Sequence, residues 1–245
     1  MLQTSHDMDN LVKIKVNTIK DIDPKKRHMV NELTIVGIFE SQYDLPILRS
    51  MCNTIVDGQR TGGNLLYVDL SYSKIYQRDG INSGCWNGDN IGLNDCLSLK
   101  MIVFPCKVFS FQGKCFSGCR NLESIIIDGE NYEDKLNPRV ISIDGVLFIK
   151  ALNGNCCLIK YPANKGNEYT LPQDHKITRI DDYAFEDSHL TRLFMPPVPP
   201  SCTEKAFEGV DKVTMTLVVP KGCHDSYWMH PVYGKFRMEE KREDE

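Results

Sequence analysis

The chain has 245 residues, of which 41% are hydrophobic and 25% charged, and its net charge is −4. These values are typical of a globular protein with a sizeable core, and the acidic balance disfavours nucleic acid as a partner. No apolar run approaches the ~20 residues that cross a bilayer. The first ten residues lack the basic and apolar regions of a secretory signal, so we expect either an intracellular protein or a leader missing from this chain.

The N-terminal region, residues 1–75, is predicted to contain strands and one helix. Apolar and polar residues alternate over 12–16, which is the pattern of a half-buried strand. Asp44 and Pro46 form a helix-start signal, after which apolar residues recur at helical spacing until Gly58 can end the helix. We therefore expect one helix that caps the first repeat.

Residues 77–92 are rich in glycine, asparagine and aspartate, which predicts a long surface loop. The loop contains Trp86, one of the two tryptophans of the chain. An exposed tryptophan would be a contact residue for a partner, whereas a buried one would pack back onto the core. The sequence leaves both alternatives open.

A sequence motif, called the repeat phrase below, then occurs twice, 23 positions apart. Its two copies are GLNDCLSLKMIVF at 92–104 and CFSGCRNLESIII at 115–127. AFEDSHLTRLFMP at 184–196 repeats it with one residue deleted, and AFEGV at 206–210 begins it again. The last apolar positions of each phrase are two apart, so they share one face of a short strand. Because one coil cannot bury its apolar face alone, the repeats predict stacked coils with a parallel sheet along one side.

Three of the ten cysteines, Cys96, Cys115 and Cys119, occupy positions of the repeat that take small residues. The chain contains no C-x-x-C pair, which argues against a zinc knuckle or a thioredoxin-type site. We therefore expect these three side chains to be buried thiols rather than members of disulfides.

Residues 129–176 interrupt the repeats. Two strand-like segments surround ALNGN, in which Asn153 and Gly154 supply a tight turn, and together they predict an inserted β-hairpin. At the end of the chain, eight of the nine residues in 237–245 are charged, which predicts a solvated tail.

The repeat resembles that of the BspA-like leucine-rich repeat family, named for a Bacteroides surface protein. The family core AF-x-x-C-x-x-L-x-x-I-x-I-P is matched at 115–127, and ITRIDDYAF at 177–185 resembles the segment leading into a repeat. The stretch 141–172 is similar to the hairpin often inserted between such repeats, and 216–236 to the closing unit. The resemblance covers almost the whole chain.

This resemblance implies an α/β-type leucine-rich repeat solenoid of stacked ~23-residue coils. It would form one continuous domain whose parts follow one another along the chain. These parts are an N-terminal strand and helix capping region (1–75), leucine-rich repeats (76–128), the inserted β-hairpin with a strand (129–176), further repeats (177–210) and a C-terminal closing unit with the charged tail (211–245).

The sequence contains no motif of an enzyme or a metal site. None of the six histidines has the spacing of H-E-x-x-H, and no P-loop, G-x-G-x-x-G or G-x-S-x-G occurs. Cys223, His224 and Asp225 are the residue types of a nucleophilic triad, but triads are assembled across a fold rather than from neighbours. We therefore predict no catalytic activity, no metal and no cofactor.

The outward positions of the predicted strands form two rows. The first row is Asp69, Val103, Ile126, Thr170, Phe194 and Val218, and the second is Tyr67, Met101, Ser124, Arg192 and Thr216. The first row is unusually apolar for a solvent face, which indicates either cross-strand packing or a binding strip for a protein. The candidate partner-binding residues are Tyr67, Met101, Val103, Ile126, Arg192, Phe194 and Val218.

The function implied by the resemblance is a non-enzymatic recognition or adhesion module at a bacterial cell surface or secreted. Its partner would be a protein, such as a host extracellular-matrix protein or another surface protein. A glycan is a second class of partner, indicated only by the aromatic residues Tyr67, Tyr72 and Trp86. The alternative is a structural or intracellular scaffold with no dedicated ligand.

Overall fold

Short strands recur along the chain at the spacing of the repeats. The structure is a computed structural model that describes residues 11–77, 80–81, 85–86, 92–106, 110–129 and 139–241. The strands of the first part of the chain are β1 (Lys13–Val16), β2 (Glu32–Ile35), β3 (Ile38–Glu40), β4 (Ile55–Val56), β5 (Gln59–Arg60), β6 (Tyr67–Asp69), β7 (Lys74–Gln77), β8 (Gly80–Ile81), β9 (Cys85–Trp86), β10 (Met101–Pro105), β11 (Ser110–Phe111) and β12 (Ser124–Asp128).

The second part of the chain continues with further strands and with fewer helices. Its strands are β13 (Arg139–Ile143), β14 (Val146–Lys150), β15 (Asn155–Lys160), β16 (Glu168–Thr170), β17 (Lys176–Ile180), β18 (Arg192–Phe194), β19 (Thr216–Val219) and β20 (Arg237–Glu240). The α-helices of the described residues are α1 (Ser41–Met51) and α2 (His224–Trp228), and the 3-10 helices are Ile19–Asp21, Pro24–Met29, Gly113–Phe116, Glu204–Phe207 and Tyr233–Lys235.

Two parallel sheets carry the repeats. The N-terminal sheet has the strand order β1-β2-β6-β10-β12, and the C-terminal sheet has the order β16-β18-β19-β20. In each strand one side chain is aligned with its equivalents and faces the interior. These inward residues are Ile14, Leu33, Val68, Ile102 and Ile125 in the N-terminal sheet, and Tyr169, Leu193, Leu217 and Met238 in the C-terminal sheet. The parallel sheets that the repeats predicted are therefore present.

Aromatic residues stack through the interior from coil to coil. The ring centroids of Phe185 lie 5.6 Å from those of Tyr161 and 5.1 Å from those of Phe207. Phe207 in turn contacts Phe236 at 4.8 Å. Phe185 and Phe207, the phenylalanines of two successive repeat phrases, thus pack on each other, because both coils place the residue at the equivalent position of the return segment.

Helix α1 begins at Ser41, earlier than the start signal at Asp44 predicted. The carboxylate of Asp44 is buried in the first turn and accepts a hydrogen bond of 2.7 Å from the backbone N–H of Glu40, which precedes the helix. Asp44 therefore caps the helix from inside its first turn, as a capping-box carboxylate does. Pro46 lies within the helix, where it removes one main-chain donor. No helix in the described ranges is long and apolar enough to span a membrane.

The inserted segment forms an antiparallel arrangement of β13, β14 and β15, and β15 also pairs in parallel with β17. It thus contains one more strand than the predicted hairpin. The ALNGN turn joins β14 to β15, with Gly154 at a φ of +81° and a hydrogen bond of 2.8 Å from Ala151 N–H to Asn155 C=O. The insert reaches the N-terminal sheet through Ile125, whose N–H donates to the carbonyl of Gly145 at 2.9 Å.

Lys160, at the end of β15, is a buried charge between the insert and the following repeat. Only 1% of its surface is exposed. Its Nζ donates to the carbonyl of Tyr183 at 2.9 Å and lies 3.3 Å from Oε2 of Glu186. Desolvation by burial lowers the pKa of Lys160, and the nearby carboxylate of Glu186 opposes this shift.

The cysteines of the repeats are buried as thiols. Cys96, Cys115 and Cys119 are at most 3% exposed and form no disulfide, as predicted. The Sγ of Cys119 donates to the carbonyl of Leu93 at 2.8 Å. Burial raises the pKa of both Cys96 and Cys119, so these thiols are protonated at neutral pH.

Two predictions about irregular segments were wrong. The segment 77–92 is not only a loop, because it contains the short strands β8 and β9. The side chain of Trp86 lies outside the described residues. The predicted solvated tail likewise begins with a strand, β20, which pairs with β19 because Met238 packs on the core between charged neighbours.

Candidate binding face

The outer faces of the two parallel sheets carry the predicted rows in the predicted register. Tyr67, Met101 and Ser124 are aligned across the N-terminal sheet, as are Asp69, Val103 and Ile126. The C-terminal sheet aligns Arg192 with Thr216, and Phe194 with both Thr170 and Val218. The register could be predicted because equivalent positions in successive coils must stand side by side.

Four of the candidate residues form one apolar patch on the N-terminal sheet. The patch consists of Tyr67 on β6, Met101 and Val103 on β10, and Ile126 on β12, and each of these side chains is half-buried. Met101 is the cross-strand neighbour of Tyr67, and Val103 that of Ile126. Since adjacent strands lie about 4.8 Å apart, the patch is continuous over three strands.

Polar residues border the apolar patch at one end of its strands and on β6. Nζ of Lys100 lies 3.2 Å from Oε1 of Glu123 at one end of the strands. Asp69 lies in the same row as Val103, on the neighbouring strand β6. Its Oδ1 accepts a hydrogen bond of 2.9 Å from Ser71 N–H. An apolar centre with a polar rim is the anatomy of a protein-binding surface.

The outer face of the C-terminal sheet is closed by ion pairs instead. Arg192 on β18 lies 3.8 Å from Oε1 of Glu168 and 3.7 Å from Oε2 of Glu239. Its guanidinium also stands over the ring of Phe194, 5.0 Å from the centroid. Since Glu239 belongs to β20, the pair with Arg192 reaches across the intervening strand β19.

This arrangement corrects the prediction that Val218 presents its side chain to solvent. Val218 and Thr216 are only 2% and 6% exposed, because both lie on β19 between the strands that Arg192 and Glu239 bridge. The structure thus brings Arg192, Phe194 and Val218 together as one packed group, separate from the apolar patch. Sequence reasoning missed Glu239, because the charged C-terminal segment gave no strand pattern apart from Met238.

The residues Cys223, His224 and Asp225 do not assemble a catalytic group. Nδ1 of His224 lies 3.5 Å from Oδ1 of Asp225, and both side chains are exposed. The imidazole of His224 stacks on Trp228 with ring centroids 6.0 Å apart. Among the described residues, no group of three histidine, cysteine or acidic side chains could hold a metal ion.

Comparison with known families identifies the repeats. Residues 86–135 and 163–224 match the family model described as "BspA type Leucine rich repeat region", in six copies. This result confirms the resemblance seen in the sequence. No curated protein matches the chain.

Three solved structures are similar to the chain over most of its length. A leucine-rich cell surface protein of Faecalibacterium prausnitzii is 16% identical over 87% of the chain, with a TM-score of 0.37. The pneumococcal vaccine antigen PcpA is 16% identical over 80%, with a TM-score of 0.36, and a leucine-rich repeat protein of Eubacterium ventriosum is 17% identical over 80%, with a TM-score of 0.35. The chain spans 64%, 49% and 57% of the lengths of these proteins, respectively.

Proposed function

We propose that this chain, which carries six copies of the BspA-type leucine-rich repeat, is a non-enzymatic recognition module that binds a protein at a bacterial cell surface or outside the cell. The observation that carries the proposal is the continuous apolar patch of Tyr67, Met101, Val103 and Ile126 on the outer face of the N-terminal sheet. Apolar side chains that remain half-exposed on adjacent strands release ordered water when a partner covers them.

The C-terminal sheet is a poorer binding surface than the N-terminal sheet. Arg192 already engages two carboxylates and the ring of Phe194, so a partner would have to compete with contacts inside the chain. Val218 is covered. We therefore place the centre of the binding face at Val103 and assign Arg192 and Phe194 to its distant margin.

The apolar character of the patch favours a protein over a glycan. Tyr67 is the one aromatic residue of the patch, whereas sugar rings are usually held by aromatic stacking together with many directional hydrogen bonds. A candidate class of partner is an extracellular-matrix protein of a host or another protein of the bacterial surface.

A binding screen with matched variants tests this function. The purified chain would be presented to a panel of extracellular-matrix proteins and to a glycan array by surface plasmon resonance. Val103→Arg places a charge in the patch, and Thr170→Arg places the same charge in the same row of the C-terminal sheet. We expect a protein ligand whose binding is lost with Val103→Arg and kept with Thr170→Arg, while both variants melt near the wild-type temperature. Equal affinity of both variants for every ligand found would contradict the proposal.

The internal ion pairs of the C-terminal face favour a second candidate, a structural scaffold with no dedicated ligand. A face whose charges are paired within the chain needs no partner. Protease treatment of intact producing cells separates the two candidates by location. A surface protein is removed by the protease, whereas an intracellular scaffold is protected.

A further inference from the structure

At one side, each parallel sheet ends in a strand whose outer edge pairs with no further strand of the described residues, and this edge is called the open edge below. In the part of the chain that the structure describes, β1 pairs only with β2, and β20 pairs only with β19. An open edge presents main-chain N–H and C=O groups that can pair with another strand. The two edges belong to the first and the last strand of the repeats. The hydrogen bonds that β1 makes to β2, and β20 to β19, show which main-chain groups face the open edge of each strand.

The main-chain groups of Lys13 and Lys15 face the open edge of β1. The carbonyls of Val12 and Val16 accept hydrogen bonds of 2.9 Å from Asn31 and Val36, so these residues turn toward β2. Neighbouring residues of a parallel strand alternate between its two edges, and Lys13 and Lys15 therefore turn the other way.

On β20 the same reasoning shows that the even-numbered residues face the open edge. The N–H of Lys241 donates to the carbonyl of Val219 at 2.8 Å, so Lys241 and Glu239 turn toward β19. The main-chain groups of Met238 and Glu240 consequently face the open edge. In a parallel pair, a residue bonds to the two neighbours of its aligned partner, so Met238 would bond to Lys13 and Lys15 when it stands opposite Ile14.

We propose that β20 of one copy of this chain pairs in parallel with β1 of a second copy, with Met238 opposite Ile14 and Glu239 opposite Lys15. This register continues the pattern of every internal strand pair of the two parallel sheets. It also places the half-buried inward side chains of Ile14 and Met238 against each other, which extends the core across the junction.

Charge complementarity on the outer face favours the same register. Lys15 and Glu239 are both exposed and carry opposite charges, so Lys15 would add a third cation to the carboxylate of Glu239, which already lies near Arg192 and Arg237 of its own chain. The like charges Lys13 and Arg237 would also be adjacent, but each already has a carboxylate within its own chain. Lys13 lies 3.0 Å from Glu32, and Arg237 lies 3.5 Å from Glu239.

Such a contact joins two different surfaces, so it does not close on itself and builds linear head-to-tail chains. One added strand buries little area, so the association is weak and depends on concentration. A second copy is the occupant that fits, because one chain supplies both the open β20 edge and the matching β1 edge. This inference is independent of the ligand of the apolar patch.

Sedimentation velocity on a dilution series of the full chain tests the proposal. We expect the wild type to associate reversibly as concentration rises, and added salt to weaken the association. Lys15→Glu and Glu239→Lys each place like charges at the junction and should weaken self-association about three- to tenfold. A 1:1 mixture of the two variants should regain the wild-type association, because each variant keeps one unaltered end for the other.

Two further variants separate the strand pairing from the charge pair and from a general surface effect. Lys15→Pro removes the N–H at the open edge of β1 without touching a bond to β2, and should abolish association. Lys176→Glu reverses an exposed charge away from both edges and should leave the association unchanged. A wild type that is monomeric at every concentration, or a mixture of the charge variants that stays dissociated, would overturn the proposal. If the wild type is monomeric, the two edges would be available to pair with a strand of a different protein instead of a second copy.

Discussion

Arg192 and Glu239 bridge the outer face of strand β19, with Nη2 and Oε2 3.7 Å apart, and Val218 on that strand is only 2% exposed. The pair divides the outer surface of the molecule into two parts of different character. On the C-terminal sheet Arg192 is engaged by two carboxylates of the same chain, whereas the N-terminal sheet leaves four apolar side chains half-exposed on three adjacent strands. This difference is why the proposed binding face lies on the N-terminal sheet.

The stacking of Arg192 on Phe194 predicts a measurable coupling between the two residues. A double-mutant cycle with Arg192→Ala and Phe194→Leu should give a coupling free energy of about 0.5–1 kcal/mol, because the guanidinium lies over the ring at a partly exposed site. Urea unfolding of the four proteins measures it. Arg192→Lys is the control, since it keeps the charge but loses the planar stacking group. Strictly additive effects would show that the contact does not stabilise the fold.

The inward residues of the repeat should dominate stability. Leu122→Ala is expected to cost about 2–5 kcal/mol, because the leucine is fully buried between coils and its removal leaves a cavity. Glu123→Ala should cost about 0.5 kcal/mol or less, since 41% of the glutamate side chain is exposed and its ion pair with Lys100 is at the surface. Denaturant melts of both variants measure these values. The reverse order of stabilities would mean that the strand faces are assigned wrongly.

The repeat could be predicted in detail from the sequence, and the ends of the stack could not. In the middle of the chain, Leu122 and Ile125 recur at fixed spacing because every coil must repeat the same contacts with its neighbours. At β20 only Met238 faces inward, and one apolar residue among charges carries no period.

The sequence predicted correctly which residues of the outer faces are aligned on neighbouring strands, but only in part which of them are exposed. Strand alternation shows that Val218 points outward, yet its burial depends on Arg192 and Glu239, which lie on two other strands. Likewise, the local sequence around Asp44 predicts that the helix starts there. Only the fold shows that Asp44 lies inside the first turn and accepts a hydrogen bond from the backbone N–H of Glu40. Contacts between residues far apart in the sequence leave no local signal.

Gly118 should resist substitution more than a glycine in an open turn. Its φ of +73° is unfavourable for other residues, and an added Cβ would overlap Oδ1 of Asp95 in the preceding coil. Gly154 has a similar φ of +81°, but nothing lies within 4 Å of its Cβ position. Gly154→Ala should therefore cost about 1–2 kcal/mol from the backbone alone, and Gly118→Ala distinctly more. Thermal melts compare the two, and equal losses would show that the side chain of Asp95 rotates away from the added Cβ.

The thiols of the repeats should react only after unfolding. Cys96 and Cys119 are buried, and burial raises the pKa of both, so the reactive thiolate is scarce in the folded protein. Titration with a thiol reagent in buffer and in denaturant, followed by peptide mapping, measures their accessibility. Cys106 and Cys223, which are partly exposed, serve as internal references and should be modified first. Rapid modification of Cys119 in the native protein would contradict its placement between coils.

Lys160 should make stability depend on pH in the alkaline range. Because burial lowers its pKa in the folded protein below the ordinary value of 10.5, there is a window below pH 10.5 in which the unfolded chain holds a proton that the folded chain has lost. The unfolded state binds more protons there, so the contribution of Lys160 to stability rises with pH. Buried tyrosines and cysteines act in the opposite direction, since burial raises the pKa of Tyr161 and Cys119.

A comparison with Lys160→Met isolates this contribution, because the tyrosines and cysteines are the same in both proteins. Methionine fills a similar volume without a charge, although it leaves the carboxylate of Glu186 without its partner. Urea unfolding from neutral pH to pH 10.5 should show the wild type gaining stability relative to the variant as the pH rises. A difference between the two proteins that stays constant with pH would mean that the lysine keeps its ordinary pKa, and that Glu186 and the carbonyl of Tyr183 fully offset its burial.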